Sequence, residues 1–67
     1  MAIVKVIEIL ANSTKSWEDA TQNAVTEASK TINNIKSVNV SNMSANVSGE
    51  SITEYRVNVK IAFQVYN

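Results

Sequence analysis

The last segment of the chain, EYRVNVKIAFQVYN, alternates without a break. Tyr55, Val57, Val59, Ile61, Phe63 and Val65 fall on one side, and Arg56, Asn58, Lys60, Ala62 and Gln64 on the other. Period-two alternation places successive side chains on opposite faces of a strand, so the segment predicts one long, half-buried strand. At ~3.3 Å per residue it spans roughly 40 Å. Such a strand is long for a chain of 67 residues, and its apolar face needs a cover. Its polar face carries Arg56, whose charge needs a partner or water.

The length allows one domain, residues 1–67, with no room for a second. Chains of this size bury only about 60% of their unfolded surface and are marginal alone. Disulfides, a structural metal or oligomerisation usually make up the difference. Cysteine and histidine are both absent, which excludes disulfides, thiolate or imidazole zinc sites, and Cys or His catalysis. Oligomerisation or an oxygen-bound cation remains. The formal net charge is zero, so the basic stripe of a nucleic-acid binder is missing. No apolar run is long enough to span a bilayer. MAIVKVIEIL at 1–10 is interrupted by Lys5 and Glu8 and lacks a signal-peptide cleavage site, so the expected location is cytoplasmic. The N-x-[ST] matches at Asn12, Asn39, Asn42 and Asn46 are what an Asn- and Ser-rich chain produces by chance.

Residues 3–10, IVKVIEIL, predict a first strand, and 11–14 a loop. Ser16 is a suitable N-cap, with Asp19 three residues on in a capping-box-like arrangement. Glu18 and Asp19 sit in the first turn, where the helix dipole favours negative charge. Trp17, Ala20, Ala24, Val25, Ala28, Ile32 and Ile35 recur at helical spacing. The helix is expected to run about 19 residues, ~28 Å, and to stop at Asn33–Asn34, since Asn tolerates a left-handed cap. A second strand follows over 35–48. Val38 and Val40 share one parity and Met43, Ala45 and Val47 the other. The slip at Ser41–Asn42 predicts a β-bulge. SGES at 48–51 is a hairpin turn around Gly49, and the last strand occupies about 52–66. In this β-α-β-β order one helix covers only part of a sheet whose strands are longer than it is. A contiguous apolar remainder marks a protein–protein contact, so the protomer is expected to be one piece of an oligomer.

Enzyme chemistry finds no foothold: there is no Gly-rich phosphate loop, and no pair of carboxylates at a recognisable spacing. Trp17 belongs to the apolar stripe of the helix, as an anchor over the sheet or a neighbouring subunit rather than a stacking platform. Glu18, Asp19, Glu27, Glu50 and Glu54, helped by Asn12 or Thr14, are the oxygen donors available to a hard cation such as Ca²⁺. Arg56 is either a solvated strand residue or a polar clamp on a ligand at a subunit interface.

VKVIEIL, SWEDA, TINNI and EYRVNVKIAFQV, in this order and spacing, resemble the dodecin family over nearly the whole chain. The resemblance implies an α+β fold: a β-α-β-β protomer whose three-stranded antiparallel sheet wraps around one helix. It further implies a hollow homododecamer that stores or buffers flavin, riboflavin or FMN, as pairs at two-fold contacts. In flavin-binding dodecins a Trp near the start of the second strand stacks on the ring, and a Gln on the third strand hydrogen-bonds its edge. Those positions fall here at Ser37 and Arg56. Ser37 has no π-face, and stacking is worth ~1–3 kcal/mol per ring. Arg56 offers only donors where an amide offers both donor and acceptor. The expected flavin affinity is therefore low. SWEDA and YRVNVKIAF look more like the dodecin branch that lacks the flavin pair, some members of which are described as calcium-binding. A calcium-binding or purely structural shell is the alternative, with metal ligands unassigned.

Overall fold

A computed structural model describes residues 2–66, and the side chains of residues 3–65. The order is β1 (Ala2–Ser13), α1 (Trp17–Ala28), β2 (Ile35–Ser48) and β3 (Ser51–Tyr66). The strands form one antiparallel sheet in the order β1-β3-β2. The alternating C-terminal segment is thus the central strand. Its length has a purpose, because it pairs with β1 from Ala2↔Tyr66 to Ser13↔Tyr55 and with β2 from Ile35↔Phe63 to Ser48↔Ser51. Its 16 residues at ~3.3 Å each give about 53 Å, matching the 52 Å long axis of the molecule.

The odd-numbered face of β3 meets the helix. Val57, Val59 and Ile61 are buried against Ala20, Ala24 and Ala28, with Ile7, Ile9 and Ala11 of β1 flanking them. Alanines at a spacing of four lie in one column, and their short side chains let the helix backbone come close to the β3 side chains. Trp17 closes one end of this core. Its ring meets Tyr55 edge-on at 4.9 Å and 76°, and its Nε1–H donates to the Ser44 carbonyl at 2.9 Å. The anchor expected of Trp17 is made within the protomer, on β2 and β3.

The helix starts as expected and ends early. Asp19 N–H donates to Ser16 Oγ at 2.9 Å, one half of a capping box. The Asp19 carboxylate does not complete the box. It accepts instead from the buried Ser13 hydroxyl at 2.6 Å, and Ser13 Oγ accepts from Lys15 N–H at 2.9 Å. Those bonds lock β1 to the helix start. The expected 19 residues are 12, about 18 Å, because Ser29 caps the helix. Ser29 Oγ donates to the Thr26 carbonyl at 2.8 Å, and Lys30 and Thr31 N–H tighten to i−3 acceptors. This competition for the last carbonyls is characteristic of Ser and Thr. Ile32 N–H still reaches the Ala28 carbonyl at 2.9 Å, so Ile32 stays on the core side and mimics a longer helix in sequence. Asn34 does adopt positive φ, 63°, but it turns the chain into β2 rather than capping α1. Its carbonyl accepts from Gln64 N–H at 3.0 Å.

The predicted bulge is present: Val40 pairs with Val59 and Asn42 with Asn58, leaving Ser41 extra. Two further register shifts leave Lys36 extra on β2, between Ile35 and Ser37, and Thr53 extra on β3, opposite Asn46/Val47. Gly49 turns the hairpin at φ 62°. A helix of ~18 Å on a sheet of ~53 Å leaves much of the sheet bare. Val4, Val6 and Leu10 are exposed on the face away from the helix, and Val40 and Met43 on the helix side beyond its reach.

Ala24→Leu forces an isobutyl group into the closest helix–sheet contact, and overpacking of this kind costs ~1–3 kcal/mol. Thermal melts are expected to show a clearly lower Tm, while Thr26→Leu, on the exposed side of the same helix, changes it little. Trp17→Phe keeps the ring against Tyr55 and loses the bond to Ser44, with an expected cost of about 0.5–1.5 kcal/mol in urea unfolding.

Candidate functional site

The face of the sheet turned away from the helix carries the even-numbered residues of β3. Cross-strand triplets run along it: Asn12–Arg56–Ser44, Leu10–Asn58–Asn42, Glu8–Lys60–Asn39 and Val6–Ala62–Ser37. In the first two of these triplets the surface is concave. Leu10, Asn12, Asn42, Ser44, Arg56 and Asn58, with Ala11 and Val57, line a groove of about 370 Å³.

The bulge at Ser41 builds this groove. Without it, the parity that puts Val38 and Val40 on the helix side would carry Asn42 and Ser44 there too. With one residue extra, Asn42 and Ser44 turn outward beside Asn58 and Arg56, while Met43 and Ala45 turn to the helix side opposite Val57 and Tyr55. Of the groove residues, Arg56 is the one that sequence reasoning singled out as a ligand position. Asn12 is one of the helpers in the set of oxygen donors open to a cation, and Asn58 shares the alternating polar face with Arg56. Leu10, Asn42 and Ser44 were missed, although the parity slip is the signal that places two of them.

Arg56 is held from one side. Its Nη1 donates to Asn46 Oδ1 at 3.4 Å, a long bond. Asn46 Nδ2 in turn donates to Glu54 Oε1 at 3.1 Å. The amide thus separates the guanidinium from the nearest carboxylate of its own strand. Among the described residues the one salt bridge joins Lys30 and Glu27 at 3.0 Å. Beside Arg56, Asn58 Oδ1 is buried and has no hydrogen-bond partner among the described residues. An unsatisfied buried acceptor costs about 1–3 kcal/mol.

Ser37 lies elsewhere. It pairs with Ala62, on the same face as Arg56 but six β3 positions away, about 20 Å. One protomer does not bring Ser37 and Arg56 together, and Ser37 is exposed with no ring to stack on a planar ligand. The acidic residues considered for a cation are dispersed as well. Asp19 serves Ser13, Glu27 pairs with Lys30 and Glu54 holds Asn46. Among the described residues no three His, Cys, Asp or Glu gather, so one chain does not supply a carboxylate cage. No helix among the described residues is long and apolar enough to cross a membrane.

Comparison with known proteins agrees with this architecture. The sequence pattern of the family described as Dodecin matches residues 3–66. A protein of Mycobacterium tuberculosis described as calcium dodecin is 29% identical over 65 residues, covering 97% of this chain and 92% of its own. An arginine-to-alanine mutant of the Thermus thermophilus dodecin superposes with a TM-score of 0.94 at 22% identity, over 100% of both chains. The dodecin of Streptomyces coelicolor gives 0.92 at 23% identity, over 98% of this chain and 94% of its own. With the β-α-β-β order, the central third strand and the match along almost its whole length, the chain belongs to the dodecin family.

Proposed function

We propose that this chain assembles into a hollow homododecamer that binds and buffers a small ligand. The observation that carries the proposal is the apolar sheet surface that a single helix leaves uncovered, most of all on the face it does not touch. Val4, Val6 and Leu10 stand 60%, 58% and 79% exposed in the protomer, and the outer edge of β2 offers unpaired backbone along a strand of 14 residues. Bare apolar strands and open edges invite other copies. Stacked around a cavity, the copies cover each other's sheets and supply the burial that a chain of this size lacks. The fold it shares with other dodecins supports the shell, and a cytoplasmic buffering role accords with it.

For the ligand, the family points to flavin, and the site residues Ser37 and Arg56 point to weak binding. Flavin would bring a planar ring that stacks and an edge that pairs with an amide. Ser37 supplies neither surface nor stacking energy, and Arg56 supplies donors without an acceptor. The two positions act on one ligand only if different copies contribute them. A calcium-binding or purely structural shell is the second reading, favoured by the mycobacterial relative described as calcium dodecin. A Ca²⁺ site would then draw its oxygen ligands from carboxylates of adjoining copies.

Size-exclusion chromatography with light scattering is expected to give twelvefold the protomer mass of 7.3 kDa. Val6→Asp, harmless to an isolated protomer, is expected to shrink the assembly. A wild-type monomer would sink the proposal. Titration of riboflavin and FMN, followed by flavin fluorescence, is expected to show little quenching at micromolar ligand. The double variant Ser37→Trp/Arg56→Gln restores the stacking face and the amide, and is expected to raise affinity about tenfold or more. An unchanged affinity speaks against the assignment of these positions. A Tm raised by Ca²⁺ and lowered by chelator, with no flavin quenching in either protein, supports the calcium reading.

A further inference from the structure

We draw no further inference here: the strongest candidate, the exposed apolar patch of Val40, Met43, Val47 and Ile52 along the β2–β3 hairpin beyond the reach of α1, carries nothing, because nothing in the structure shows what covers it and it belongs to the bare sheet surface on which the proposed assembly already rests.

Discussion

Ala20, Ala24 and Ala28 lie on Val57, Val59 and Ile61, and the rest of the protomer depends on that contact. Small side chains on the helix let it approach the branched side chains of the strand closely. Because the helix sits low on the sheet, Trp17 reaches across to Tyr55 and to the Ser44 carbonyl, and Ile32 reaches the core after the helix has ended. The same contact limits what the helix can cover. Twelve residues shield only part of a sheet with a 52 Å long axis, and the sheet runs on beyond both ends of the helix. The short helix leaves Val40 and Met43 uncovered on its own side, and the single layer of helix leaves Val4, Val6 and Leu10 uncovered on the other.

Legibility in the sequence followed the strength of each physical signal. The alternation from Tyr55 to Val65 identified a strand because side-chain parity survives any environment, and the Val40-to-Met43 parity switch located the bulge for the same reason. The helix end was misplaced because Ile32 obeys helical spacing without being in the helix, and periodicity cannot see Ser29 Oγ taking the Thr26 carbonyl. The shift at Ile35/Ser37 goes unread because Ile35 also fits the helical spacing, which hides its change of parity against Val38, and the shift at Asn46/Val47 leaves Thr53 of β3 extra beside the turn, where Ile52 alone marks the change. At the candidate site, Arg56 was legible as a charge on a polar face. Leu10, Asn42 and Ser44 were not, because a groove is a property of register between strands rather than of any one strand.

Family resemblance and geometry contribute different things. The match over residues 3–66 assigns the fold and the family. It does not decide chemistry at Ser37 and Arg56, the positions to which the resemblance assigns the stacking Trp and the Gln amide. Replacing an aromatic face by a hydroxymethyl group removes dispersion and stacking, and replacing an amide by a guanidinium changes the sign of what the site prefers. An amide accepts and donates to a neutral ring edge. On the proposed reading a guanidinium favours anions over a neutral ring edge, so ligand preference is set locally even where the fold is shared.

One inserted residue joins these two levels. Ser41 stands opposite nothing on β3, and every β2 side chain after it, up to the next shift, is on the face it would otherwise not occupy. Met43 and Ala45 thereby pack on the helix side beside Val57 and Tyr55, where apolar atoms are needed, and Asn42, Ser44 and Asn46 stand beside Asn58 and Arg56, where polar atoms are. Removing that residue would invert both sets together. It would place amides and a hydroxyl against the core, at the cost of unsatisfied polar groups, and would line the groove with Met and Ala. Core packing and groove chemistry therefore cannot drift apart in this stretch of β2. A chain that keeps its core on this register keeps a polar groove at Arg56 as a consequence.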